Sequence, residues 1–230
     1  MTVQSYFQSR ADWFNALYEE DHPVRYRVNR LVRPAIFDRV AMTLDEFRGW
    51  KGYSVLDVGC GPGRNSVAFV KAGAARVVGI DFSDRMVEIA RGFSREHGTE
   101  SKCEFVQDDF MACIPFQTFD AVVALGFFDY VENAEDALKR MTAAARYKVI
   151  GSFPARSSIR APLRRLRYAM RGCPVYFYTR QQIEDICVRV GLKHFRIIPL
   201  GPGFFLVGSC VDDPPPKFTA GEAETTPSIF

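Results

Sequence analysis

Hydrophobic positions change their rhythm about fifty residues into the chain. Up to there, aromatic and charged positions alternate with helical spacing, Phe7, Phe14 and Tyr18 recurring at intervals of seven and four, which predicts amphipathic helices. Beyond it come short β-branched runs at 54–58, 76–80, 103–106, 121–125 and 148–153, apolar on both faces, as parallel strands covered by helices require. Helical stretches near 64–73, 84–97 and 133–146 separate them. A further helix is expected from Thr179, an N-cap residue, to Gly191, which suits the position after the last turn. Two more strands, 195–200 and 204–210, are joined only by Gly201-Pro202-Gly203, too short for a crossover, so they must be antiparallel. The pattern predicts an α/β fold: a doubly wound, mostly parallel seven-stranded sheet ending in an antiparallel hairpin. It divides the chain into a helical cap (1–50), the α/β domain (51–211) and a tail (212–230). Four prolines and four acids against one lysine in the last twenty residues lead us to expect a mobile tail.

Composition narrows the class. With 47% hydrophobic and 25% charged residues among 230, the chain falls in the globular range and can bury one sizeable core. Its longest apolar run, eight residues at 121–128, is far short of the ~20 that span a bilayer. MTVQSYFQSRADWF has no basic stretch followed by an apolar one, so a cytoplasmic location is the default expectation. The six cysteines form no CxxC pair and have no histidine beside them, giving no metal signal, and free thiols are expected.

The chemistry gathers at the ends of strands. Val55-Leu56-Asp57-Val58-Gly59-Cys60-Gly61-Pro62-Gly63 runs from a strand through a glycine-rich turn into a helix, where side chains at 59 or 61 would collide with a ligand. A dinucleotide fingerprint would place its third glycine at 64, which is Arg. Asp81, eighteen residues beyond Gly63, ends the second strand and can accept both hydroxyls of a ribose; an acid there can equally cap a helix, a task Ser83 or Asp84 could take. Asp108 and Asp109 follow the third strand. An adenine amino group needs an acceptor and its ring nitrogen a donor, which Asp109 and the Phe110 N–H could supply, with Asp108 the competing acid.

Taken in order, D-x-G-x-G-x-G at 57–63, Asp81, the acid pair 108/109 and F-D-x-V-V-A at 119–124 resemble the class I S-adenosylmethionine-dependent methyltransferases, over roughly 53–153. The resemblance implies S-adenosyl-L-methionine as cofactor, with Gly59, Cys60, Gly61 and Gly63 forming the loop along its methionine part and Asp57 holding that loop. It further implies that Asp81 binds the ribose, Phe82 and Met86 flank the adenine, Asp109 meets its amino group, and the backbone of Ala124, Leu125 and Gly126 faces the cofactor amine. Tyr18 is the expected contact for the cofactor carboxylate.

The acceptor side is less determined. Leu125-Gly126-Phe127-Phe128-Asp129-Tyr130 lacks the Asn/Asp-Pro-Pro-aromatic motif of base and glutamine N-methylating enzymes. Asp129 and Tyr130 are the candidates for acceptor contact or proton removal; the alternative has Tyr130 packing and Asp129 capping the next helix. Of three histidines, His22 alone lies in a region expected to cover the site. Residues 151–180 hold seven arginines and no acid, and Ile159, Leu163, Leu166 and Met170 make an amphipathic stripe, so a basic lid is expected at about 155–178. Arg164 and Arg167 could attract a carboxylate or phosphate. A membrane surface and an RNA backbone are alternative targets, and a solvated helix is the plain one. The net charge of only +3 does not favour nucleic acid. Tyr176 and Tyr178 could wall an apolar acceptor pocket, or pack in the core. The expected activity is methyl transfer to a small anionic or amphipathic metabolite. RNA methylation, nicotinamide-dependent oxidoreduction and a non-catalytic cofactor-binding partner are the rivals.

Overall fold

A computed structural model describes residues 34–113, 117–156 and 173–211. The N-terminal segment with Phe7, Phe14, Tyr18 and His22, the arginine-rich stretch with Arg164 and Arg167, and the tail lie outside the described residues.

The described chain begins with α1 (Pro34–Glu46) and continues through β1 (Ser54–Val58), α2 (Arg64–Lys71), β2 (Arg76–Asp81), α3 (Asp84–Glu96) and β3 (Cys103–Gln107). Then follow β4 (Phe119–Ala124), α4 (Ala134–Ala144), β5 (Ala145–Pro154), α5 (Arg180–Arg189), β6 (His194–Leu200) and β7 (Gly203–Ser209). The seven strands form one sheet in the order β3-β2-β1-β4-β5-β7-β6. The first five run parallel, and β7 enters antiparallel between β5 and β6. Strand order reverses beside β1, so a crevice opens between the C-terminal ends of β1 and β4, where ligands of open α/β sheets bind.

Alternation along the buried strands divides the core in two. Leu56, Val58, Val122, Ala124 and Leu206 face Leu138, Met141, Ile183 and Ile186 of α4 and α5. Val55, Val77, Ala121, Val123 and Val207 face Phe47, Tyr53, Phe69, Val87 and Ala90 on the other side. Ser54 and Asp120 close the lower edge reciprocally: the Asp120 carboxylate accepts from Ser54 N and Oγ, both at 2.7 Å, and Asp120 N donates to Ser54 Oγ. β4 starts at Phe119, which pairs with Ala145 of β5, two residues earlier than its apolar run predicted.

Helix ends follow the expected chemistry. Thr179 and Gln182 make a reciprocal capping box at α5, and Gly191 lies just past its end at φ 83°. Ser83 caps α3 by accepting from Met86 N, and Asn133 caps α4 by accepting from Asp136 N. One boundary differs. Ala145 is extended and pairs with Phe119, so α4 stops at Ala144 and β5 takes over, although the helical pattern runs on to 146.

Helix α1 crosses one face of the sheet. At its C-terminal end Glu46 accepts from Lys148 of β5 at 3.0 Å and from Arg196 of β6 at 2.6 Å. At its other end Arg39 reaches Gly126, just past β4. The helix thus runs antiparallel to β5 and brings a guanidinium to the crevice.

Candidate active site

The crevice is built around the turn after β1. Gly59 N and Cys60 N both donate to Ile80 O, at 2.8 and 3.0 Å, pinning the turn to β2. Gly63 has φ +75°, and a methyl group added there would come within 2.8 Å of Ala90 Cβ and 2.9 Å of Phe105 Cζ. Only glycine lets α2 start in so tight a junction. Cys60 turns its thiol into the core beside Gly79, leaving its backbone to border the crevice, and burial holds the thiol well above its ordinary pKa.

Asp81 is the hub. Its Oδ2 accepts from Gly61 N and its Oδ1 from Ser83 N, both at 2.9 Å, so one carboxylate ties the glycine turn to the start of α3. Ser83, not Asp81, caps the helix. Each Asp81 oxygen keeps a second lone-pair direction that can take a ligand hydroxyl. Burial pushes its pKa up, against the pull of the two N–H groups.

Asp57 lies deeper, 1% exposed. Its Oδ2 accepts from Ser66 Oγ at 2.6 Å, which anchors the turn to α2, while its Oδ1 is buried with no hydrogen-bond partner. Burial first, and then the Asp81 charge, push its pKa up to about 7, opposed by Ser66 and by the Arg39 charge. Arg39 Nε is likewise buried and unpartnered. Its guanidinium packs where a side chain at Gly126 would be, with Nη1 2.9 Å from that position, and Gly126 has φ +86°. A buried donor and a buried acceptor thus stand unsatisfied at one end of the crevice. Unpaired polar atoms in such positions are costly unless something completes them.

At the far end, Asp108 N donates to Asp81 O, and Asp108 Oδ1 accepts from Asp109 N. Asp109 is exposed, with Oδ1 accepting from Met111 N and its other oxygen open. Phe110 and Met86 are buried and Phe82 is half-buried. Gly59, Gly61, Asp81, Asp108 and Asp109 therefore share one rim. The amide of Gly126 is already committed, donating to Ser152 Oγ at 2.8 Å, so of the 124–126 backbone it is not a free donor.

The region beyond β4 is aromatic. Phe128 is fully buried and stacks on Phe153 at 4.0 Å, and Tyr178 meets Phe153 edge-on at 5.2 Å. Tyr178 belongs to this core: it is buried, and its hydroxyl donates to Val131 O. Of its two expected places, ligand wall or core, this is the core one. Burial, and then the neighbouring Asp129 charge, raise its pKa. Tyr176 is half-buried, and its N–H donates to Asp129 O. Asp129 is buried and Tyr130 half-buried; since Asn133 caps α4, Asp129 is not that cap.

Arg39 has no counterpart among the residues expected from sequence. No motif marks it, and only the course of α1 brings it to the crevice.

The comparisons with known proteins agree with this architecture. Residues 55–147 match the family described as a methyltransferase domain. The chain is 36% identical over 92 residues to a sterol 24-C-methyltransferase of Aspergillus fumigatus, covering 40% of this chain and 24% of that protein. It is 31% identical over 96 residues to an ajmaline N-methyltransferase of Rauvolfia serpentina, covering 41% and 33%. These matches span a quarter to a third of those relatives' own length. Among solved structures, magnesium protoporphyrin IX methyltransferase from Synechocystis PCC 6803 with SAH bound superposes with a TM-score of 0.70, at 20% identity, over 90% of this chain and 97% of that one. Residues 55–147 thus look like a methyltransferase domain, and the sheet has the Rossmann-like fold of S-adenosylmethionine-dependent methyltransferase structures.

Proposed function

We propose that the whole chain transfers the methyl group of S-adenosylmethionine to a small amphipathic acceptor. The observation that carries this reading is the pair of unsatisfied buried atoms, Arg39 Nε and Asp57 Oδ1, at one end of a crevice whose other end carries Asp81 and Asp109. An amino acid joined to a nucleoside matches that order of groups. Its carboxylate would meet Arg39, its ammonium the Asp57 side, its ribose Asp81, and its adenine amino group Asp109. The bound cofactor would supply a sulfonium methyl for direct displacement.

The protein's own part is alignment in a dry pocket. Asp81 holds the glycine turn and the start of α3 in one geometry before any ligand arrives. Positioning of this kind can supply much of the barrier reduction in a two-reactant displacement. Phe127, Phe128 and Tyr176 make the acceptor side apolar, so that water is kept away. Asp129 stands next to this wall as the candidate to take a proton from an acceptor that must lose one. The relatives' names, which speak of a sterol, an alkaloid and a porphyrin, support an acceptor with an extended apolar body. The arginines at 156–171 would suit an anionic group on it.

Calorimetric titration of the full chain with S-adenosylmethionine, S-adenosylhomocysteine and NAD tests the first part, and a methyl-transfer screen over amphipathic acceptors the second. Micromolar binding of the first two ligands and turnover of an acceptor are expected. Binding of NAD alone, or of none, overturns the cofactor reading; binding without transfer to any acceptor supports a non-catalytic cofactor-binding protein instead.

A further inference from the structure

Phe127 packs against the core cluster and also borders the glycine turn of the crevice. A methyl group added to Gly59 would come within 3.1 Å of Phe127 Cδ2 and 3.5 Å of its Cβ, so the side chain lies directly against the first glycine of the turn. Its ring then extends to Phe110, at the adenine-side rim, with centroids 6.0 Å apart and planes at 83°. On its other side it meets Phe128 edge-on at 5.7 Å. Phe127 is half-buried, whereas Phe110 and Phe128 are buried. One partly open aromatic ring therefore spans the crevice from the turn that borders Arg39 and Asp57 to the loop that carries Asp109.

We infer that Phe127 is a specificity-determining residue for the cofactor's sulfur: its ring is the wall along which a sulfonium lies, favouring the charged cofactor over its neutral thioether product. The inference rests on the functional reading above and deepens it. In S-adenosylmethionine the sulfur is bonded between the amino-acid chain and the ribose. A molecule held at Arg39 and Asp57 by one end and at Asp81 by the other must carry its sulfur between them, along the stretch that Phe127 borders. A cation beside an aromatic face gains an attraction that a neutral thioether does not, and the gain grows where water is excluded. The buried rings of Phe110 and Phe128 flank the Phe127 ring on two sides. An aliphatic side chain in the same place would pack against Gly59 equally well and give no such preference.

Phe127→Leu and Phe127→Met remove the ring while keeping apolar volume; Phe127→Tyr keeps it. Calorimetric titration of each full-length variant with S-adenosylmethionine and with S-adenosylhomocysteine provides the test, with ligand-free melting to show that packing survives. Loss of the ring is expected to weaken binding of the sulfonium by about three- to thirtyfold and of the thioether by less than about twofold, with the Tyr variant close to wild type. An equal change for both ligands in the Leu and Met variants overturns the inference alone, because the ring then only packs. Tighter binding of both overturns it too, since the ring would then obstruct the crevice. Wild-type protein that binds neither ligand overturns the functional reading and this inference with it.

Discussion

The ends of β1, β2 and β3 each carry an acid tied into the backbone or a neighbouring hydroxyl: Asp57 to Ser66, Asp81 to Gly61 and Ser83, Asp109 to Met111. Beyond β4 the crevice is bordered instead by the half-buried rings of Phe127 and Tyr176, backed by the buried Phe128 and Phe153. The two halves face the same opening with opposite chemistry. The first resists change, because every acid there also holds a turn, and removing it alters the shape of the site as well as its charge. The second, Phe127 apart, can change more freely, since apolar volume substitutes for apolar volume at small cost. A fixed polar half suits a ligand common to a whole class of enzymes, and an adaptable apolar half suits the partner that differs from one to the next.

The sharpest way to break the rigid half is at its tightest junction. Gly63→Ala places a methyl group 2.8 Å from Ala90 Cβ at a φ of +75°, adding overpacking to backbone strain. Together these cost about 2–4 kcal/mol. The melting temperature should fall by roughly 4–15 °C for a domain of this size. A shift under about 2 °C in a calorimetric scan would mean that α2, α3 and β3 are not locked together there.

The same half carries a hidden cost that pH exposes. Asp57, pushed up to about 7 by burial, holds a proton in the folded state between the ordinary carboxylate value and neutrality, while the unfolded chain has released it. The folded state binds more protons in that window, so stability must fall as pH rises through it and level off above about 7. The slope is at most about 1.4 kcal/mol per pH unit. Asp57→Asn keeps an acceptor for Ser66 and removes the titration. Urea unfolding at pH 5, 6, 7 and 8 should show wild type losing stability relative to the variant across the series; parallel curves would show that Asp57 carries no extra proton. Asp81 shifts in the same direction and is present in both proteins, so the difference isolates Asp57.

Arg39→Gln sharpens the comparison through ligands. If its guanidinium completes the polar half by meeting a carboxylate, both S-adenosylmethionine and S-adenosylhomocysteine should bind about ten- to a hundredfold more weakly, since both carry that group. Unchanged affinity for either in a calorimetric titration would remove Arg39 from the site.

The same division explains what could be read from the chain beforehand. Alternating strand and helix patterns, the turn residues and the acids after strands are local signals, and among the described residues the strands and helices they predict lie where the structure has them, within a few residues. Ala145 was missed because a helical pattern and an extended conformation are both open to alanine, and only pairing with Phe119 decides between them. Arg39 was missed because its meaning is wholly tertiary: α1 has to cross the sheet before the guanidinium comes near Gly126. Tyr178 stays open in the sequence because an aromatic run reads alike whether it faces a ligand or the core, and the hydrogen bond to Val131 O that holds it in the core links residues 47 positions apart.

The apolar half yields the smallest effect and the most specific one. Tyr176 is half-buried, its backbone is tied to Asp129, and its side chain packs against the core cluster on the acceptor side. Tyr176→Ala removes ring surface from that wall and leaves every acid of the polar half in place. At about 25 cal/mol per Å² of apolar area, a ring partly covered by an acceptor is worth roughly 1 kcal/mol, or about a fivefold rise in the acceptor KM. Affinity for the cofactor should stay within about twofold by titration. A cofactor affinity that falls with the acceptor KM would show that the two halves are one coupled site, and the division drawn from the strand ends would then describe composition without describing function.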